Sequence, residues 1–217
     1  VIPCNWSSSS QTPIGFLTPD AQNIIVKEVM EKGFEYLFLL EDDVVPPADL
    51  FLILNEHMRE LKTPLISGLV YVKPGLFQSN RLEPMIYRGR GNGAFFDWKL
   101  GDQVWADGVP TGCLLIHRSL LQVAWDFAEQ YTLSANGQTF SLRRVFEAPR
   151  KTFSDIELPS YHKLVGTSDI YFCDRVLDGG MLKLAGWPQL AKKKYPFLVD
   201  TRIHCGHIDR TTGLITR

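Results

Sequence analysis

The segment Glu35-Tyr-Leu-Phe-Leu-Leu-Glu-Asp-Asp-Val-Val-Pro-Pro47 decides how the rest of the chain is read. Tyr36 to Leu40 is an unbroken apolar and aromatic run, the pattern of a strand buried on both faces. Three carboxylates follow at once, and two prolines close the turn. An unpaired carboxylate inside an apolar core is costly or is forced to take up a proton. Glu41, Asp42 and Asp43 therefore belong beyond the strand's carboxyl end, which is where ligands sit in open α/β sheets. Glu41 and Asp43, two apart on an extended segment, point to the same side and can address one ion. Hard cations such as Mg²⁺ and Mn²⁺ take oxygen ligands of this kind. A solvated acidic turn is the other reading of the same residues.

Outward from this strand the pattern alternates. Thr18-Pro-Asp20 opens a helix with a capping residue, a first-turn proline and a first-turn carboxylate, and Gly33 closes it. A second helix is predicted over Ala48–Lys62, with Leu50, Leu54, Met58 and Leu61 on one face, and a strand over Leu65–Val72. Strand-like runs recur at Val1–Asn5, Pro84–Arg88, Val104–Val109, Cys113–His117 and Phe197–His204, with helices over Ser119–Tyr131 and Ser168–Leu177. Residues 132–166 lack periodicity and read as a long loop. Strand–helix alternation predicts an α/β fold with a mostly parallel central sheet flanked by helices. No linker or repeat divides the chain, so residues 1–217 read as a single domain.

Composition excludes several functions. The 217 residues are 45% apolar and 22% charged with a net charge of −1. That balance carries no footprint for nucleic acid, and Lys192-Lys-Lys194 reads as a solvated turn. The longest apolar runs fall short of the ~18 residues that mark a membrane span. Cys4, Cys113, Cys173 and Cys205 form no C-x-x-C pair and read as reduced thiols, so the chain is expected to be cytoplasmic.

Two further clusters carry chemistry. In Asp200-Thr-Arg-Ile-His-Cys-Gly-His207, either His204 or His207 can offer an imidazole to the ion held by the acidic turn, and a zinc site is an alternative. In Gly166-Thr-Ser-Asp-Ile-Tyr-Phe-Cys-Asp-Arg175, Asp169 lies in the first turn of a helix, where the dipole keeps it ionised. That favours either simple charge complementation or a general base for a hydroxyl.

Taken with Thr111-Gly-Cys-Leu-Leu-Ile-His-Arg118 and Asp20-Ala-Gln-Asn23, these segments resemble, in order and spacing, the motifs of GT-A fold glycosyltransferases of the family-2-like type. Glu41-Asp-Asp43 is similar to that family's D-x-D region, Thr167–Arg175 to its E-D-x-x-F-x-x-R motif, and His204-Cys-Gly-His207 to its terminal H-x-x-H element. Glu41, Gln22 and Ser168 stand where the family pattern has Asp, Arg and Glu. The resemblance implies a Rossmann-like GT-A domain whose residues 1–110 bind a nucleotide sugar and whose residues 111–217 bind acceptor and catalyse. It implies Mn²⁺ or Mg²⁺ held by Asp43, His207 and Glu41, and a UDP- or GDP-sugar donor contacted by Pro3, Asn23, Asp42, Arg88 and Gly112. It implies Asp169 as the base of an inverting transfer to a glycan, lipid or protein acceptor. Trp98 and Trp105, flanked by glycine-rich segments, are the expected acceptor-side platform. A nucleotidyltransferase, or a non-catalytic nucleotide-sugar or carbohydrate-binding protein of the same fold, is the alternative.

Overall fold

The structure, a computed structural model, describes residues 13, 15–72, 82–90, 92–135, 137–148, 167–208 and 212–216. The expected strand at Val1–Asn5, and Pro3 with it, lie outside the described residues. The chain forms two compact units that interleave in sequence, one containing Phe38–Ile116 and Lys192–Arg217, the other containing Pro3–Leu37 and His117–Ala191.

The first unit is built on a five-stranded sheet in the order β1 (Tyr36–Leu40), β7 (Cys113–His117), β3 (Leu65–Leu69), β10 (Phe197–His204), β6 (Gln103–Ala106). The chain divides between the two units within β1 and at the end of β7. β3 and β10 run parallel, while β3 with β7 and β10 with β6 run antiparallel. Glu41 N bonds Gly112 O at one end of the β1–β7 pair and Arg118 N bonds Glu35 O at the other, so that pair is antiparallel too. The sheet is therefore mixed and mostly antiparallel, and the expectation of a mostly parallel sheet is corrected. The reason is β7. The β1–α2–β3 unit, with α2 spanning Leu50–Glu60, does point its two strands the same way, but β7 inserts between them in the opposite sense. A strand buried along Cys113–Ile116 is a continuous apolar run in either orientation, so composition does not fix direction.

This topology has one consequence for chemistry. β1, β3 and β10 share a direction, so the residues following β1 and β10 emerge at the same edge of the sheet. There β2 (Val44–Val45), β11 (Gly206–Ile208) and β12 (Ile215–Thr216) form a small antiparallel sheet in the order β12-β11-β2. β4 (Tyr71–Val72) pairs with β5 (Glu83–Pro84). Pro84–Arg88 is thus strand only at its start, with Tyr87 adding isolated bridges to Ala94 and Gly108. The core is apolar and closely filled: Leu54, Leu65, Leu69, Leu114, Leu115, Ile116 and Phe197 are fully buried.

In the second unit, α1 (Thr18–Lys32) packs on the hairpin strand β9, and α5 (Met181–Leu184) contacts both α3 (Arg118–Phe127) and α4 (Ser168–Asp178). Gly33 ends α1 in the left-handed conformation, φ 73°, with its N–H on Val29 O, as the sequence predicts. Two boundaries differ from expectation. α3 stops at Phe127, and β8 (Gln130–Ala135) and β9 (Gln138–Arg143) form a hairpin within the stretch expected to be loop. The expectation of a loop is corrected: polar Gln130, Thr132 and Ser134 alternate with Tyr131, Leu133 and Ala135, and Asn136-Gly137 is a two-residue hairpin signal, so the strand pattern is present in the sequence. Phe146 and Phe172 stack with centroids 4.7 Å apart in this unit's core.

Candidate functional site

The sheet edge of the first unit brings together residues 164 positions apart. Asp43 Oδ2 lies 3.3 Å from His207 Nε2, and both side chains are partly exposed. The backbone fixes them there, since Ile208 N donates to Asp43 O at 2.7 Å and His207 pairs with Val44 between β11 and β2. Between His204 and His207, geometry favours the second. His204 packs edge-on against Tyr71, with ring centroids 5.7 Å apart, and its Nε2 is buried without a hydrogen-bond partner among the described residues.

Glu41 follows a different course from Asp43. Its carboxylate accepts from Thr111 Oγ1 at 2.9 Å, its N–H donates to Gly112 O and its carbonyl accepts from Val44 N, both at 3.1 Å. The turn after β1 is thereby tied to the Thr111-Gly112 segment entering β7. Gly112 is buried, and a Cβ on it would lie 3.3 Å from Val44 Cγ2, so the absent side chain lets the two segments approach. Asp42 is exposed on the turn. Among the described residues, no group of three or more His, Cys, Asp or Glu side chains is gathered closely enough to hold a metal ion. Asp43 and His207 are a pair rather than part of a three-ligand set with Glu41. Their 3.3 Å separation is compatible with two ligands of one ion, although an imidazole nitrogen is not the oxygen donor that hard ions prefer.

The other expected site residues are distributed as follows. Arg88 donates from Nε to Trp105 O at 2.7 Å and lies over the Phe95 ring, 3.8 Å from its centroid. Trp98 and Trp105 are half-buried; Trp98 Nε1 donates to Phe95 O, and Lys193 Nζ sits 3.8 Å above the Trp105 ring. In the second unit Asn23 is buried with both ends of its amide on the backbone of Phe146, donating to its O at 2.8 Å and accepting from its N at 2.9 Å. That bidentate bond clamps α1 to the segment following β9. Asp169, also buried, accepts from Ile170 N at 2.8 Å and from Thr167 Oγ1 at the start of α4, the arrangement of a carboxylate neutralising a helix terminus.

One charged cluster escaped the sequence reading. His57 on α2 and Asp200 on β10 are both buried, with Nε2 2.7 Å from Oδ2. Arg202 donates to both Asp200 oxygens and, through Nη1, to Glu56 at 2.9 Å. Burial, the largest single influence, raises the Asp200 pKa, but the hydrogen bonds from His57 and Arg202 and the Arg202 charge together outweigh it and hold the carboxyl far below the ordinary range. Its signal was present in the sequence: Leu50, Ile53, Leu54 and His57 follow the i, i+3, i+4, i+7 spacing of a buried helix face. A histidine on that face must find a polar partner, and Asp200, inside a buried strand, is one.

Fold and site together define a chain of mixed α/β class, with a five-stranded sheet and a carboxylate–imidazole pair at one sheet edge. No family model matches it, and comparison with curated proteins gives no match. Among solved structures, A197 from STIV is similar at 14% identity, over 89% of this chain and 68% of that one, with a TM-score of 0.47. Among the described residues no helix is long and apolar enough to cross a membrane.

Proposed function

We propose that the chain is a metal-dependent glycosyltransferase that moves a sugar from a UDP- or GDP-sugar to an acceptor hydroxyl, with inversion. The observation that supports this reading is the meeting of Asp43 and His207 at the carboxyl edge of three co-directed strands, 3.3 Å apart and open to solvent. Asp43 and His207 would hold Mg²⁺ or Mn²⁺, which when bound would supply positive charge against the donor's diphosphate. Two protein ligands leave coordination positions for diphosphate oxygens. Asp169, which lies in the second unit, is assigned the acceptor hydroxyl's proton on the family resemblance alone.

A second reading has its own observation. Asp43 and His207 lie at the β2–β11 ladder, so their contact also serves to lock two short strands. Calorimetric titration of UDP and GDP with Mn²⁺ present or chelated separates the two. Tight diphosphate binding that requires Mn²⁺ and is lost in Asp43→Asn supports the transferase. Equal affinity with and without Mn²⁺, or no binding at all, leaves only the strand lock.

A further inference from the structure

In the second unit, helix α3 begins at a histidine that serves as its cap and joins a hydrogen-bonded chain of side chains. The first N–H groups of a helix find no partner inside it. Here Arg118 N donates to Glu35 O at 2.7 Å, and Ser119 N donates to His117 Nδ1 at 3.1 Å. The Ser119 hydroxyl lies 2.8 Å from the same nitrogen, and Trp187 Nε1 donates to Ser119 Oγ at 2.9 Å. Trp187 is fixed in turn, its backbone N–H on Leu182 O of α5 at 2.8 Å. Across the imidazole, Glu35 Oε1 stands 3.9 Å from Nε2.

These contacts settle the tautomer. A ring nitrogen that accepts a backbone N–H carries no proton, so neutral His117 has its hydrogen on Nε2, facing Glu35. The Ser119 hydroxyl must then donate to Nδ1, and its oxygen accepts from Trp187. Proton uptake can occur only at Nδ1, and there it turns an acceptor into a donor. An Nδ1–H can donate to Ser119 Oγ, which has one lone pair for it and one for Trp187, but it cannot accept the Ser119 N–H. The cap is lost while the tie to Trp187 survives. The imidazolium also sits at the positive end of α3, where a cation is disfavoured.

Glu35 and Tyr36 face the ring from the start of β1, Ser119 from α3 and Trp187 from the segment after α5, while Arg118 lies against Gly33 instead. Burial, with the Glu35 charge, pushes the Tyr36 hydroxyl up to about 12, so Tyr36 brings no charge. Burial of the imidazole outweighs the attraction of Glu35 and holds His117 below its ordinary value. The Glu35 side chain is 74% exposed, which weakens that attraction further, and the His117 side chain is 20% exposed, enough for water to deliver a proton without unfolding.

We infer that His117 is an acid-released cap: near neutral pH it closes the first turn of α3, and on protonation it frees that turn while Trp187 stays tied to Ser119. No metal, nucleotide or acceptor takes part, so the device stands or falls independently of the transferase reading.

The test is NMR spectroscopy of the whole ¹⁵N-labelled chain from about pH 5 to 8, the range in which imidazoles titrate. At the upper end the His117 proton is expected on Nε2, and the ring should titrate with a midpoint below about 6.5. Through that midpoint the Ser119 amide should lose exchange protection on the order of tenfold, while the Trp187 indole N–H keeps its own. In His117→Asn the cap is an amide oxygen that does not titrate, so Ser119 protection should no longer follow pH. A neutral ring protonated on Nδ1, a midpoint at or above about 6.5, or Ser119 protection indifferent to the His117 titration overturns the inference. The same pH dependence in His117→Asn also overturns it, by assigning the loosening to another group. The tautomer, the midpoint and the Ser119 response are all read on the wild-type chain, so the inference remains open to refutation even where the variant does not fold.

Discussion

At Gly68, in the middle of β3, a single missing side chain sets the strand packing. A Cβ there would lie 2.7 Å from Ile203 Cγ2, 3.0 Å from Cys113 Sγ and 3.1 Å from Ile203 O. The last contact is with backbone, so a rotamer change cannot relieve all three. Gly68→Ala is expected to destabilise the protein by about 1–3 kcal/mol through overpacking, read as a lower denaturant midpoint. Glycine in a strand ordinarily weakens it and is tolerated where another segment approaches closely; here that segment is β10, through Ile203. Asp43 divides what is local from what is tertiary. The E-D-D cluster was legible as a turn beyond an apolar strand, but that strand is not buried on both faces as its run predicts: β1 lies at the edge of the sheet, only Leu37 and Leu39 are buried, and Leu40 is exposed. That Asp43 meets His207 while Glu41 bonds Thr111 depends on the register of β2 against β11, which no local pattern encodes. As a partly exposed contact, the Asp43–His207 pair contributes about 0–1 kcal/mol, so Asp43→Asn should leave the melting temperature nearly unchanged while abolishing any Mn²⁺-dependent nucleotide binding.

The helix α4 poses the question of function against stability at the scale of one element. Asp169 accepts the Ile170 N–H and the Thr167 hydroxyl, so part of its role is local to the first turn. Asn keeps a hydrogen-bonding oxygen but neither the charge nor the capacity to accept a proton at neutral pH. If the carboxylate serves the helix alone, Asp169→Asn costs about 0.3–1 kcal/mol and transfer to an acceptor continues. If it is the base, transfer falls by on the order of 10²–10⁴-fold with nucleotide affinity maintained. Melting temperature and transfer rate on one preparation decide between them. At α1 the outcome is purely structural: Gly33 caps the helix at φ 73°, and an added Cβ would also stand 3.0 Å from Arg118 Nη1. Gly33→Ala should cost about 1 kcal/mol, read by thermal unfolding. This cap was visible in sequence as a glycine after an amphipathic stripe. The β8–β9 hairpin was legible too, in the alternation of Gln130–Ala135 and the Asn136-Gly137 turn, because hairpin chemistry is as local as a cap.

For the molecule as a whole, the His57–Asp200–Arg202 cluster sets an acid limit. A carboxyl whose pKa is lower in the folded than in the unfolded chain contributes stability that is fully present above the unfolded value, about 3.9 for Asp, and is lost as pH falls toward the folded value. Asp200 has such a lowered pKa, so its contribution should be constant near neutrality and decline as pH drops below about 4. Asp200→Asn, which leaves His57 and Arg202 facing a neutral group, should lose on the order of 3 kcal/mol at pH 7. The gap in stability between wild type and variant should narrow progressively on acidification, and a gap independent of pH would show that the cluster's charge does not contribute. The α/β class, most element positions and the placement of the acidic turn outside the core are written in the local sequence, because periodicity, caps and the cost of burying charge are local properties. The antiparallel insertion of β7 between β1 and β3, the meeting of Asp43 with His207, and the pairing of His57 with Asp200 come from the folded arrangement alone. Each depends on which strands become neighbours and in what register, and a buried apolar strand is the same string of residues whichever way its neighbours run.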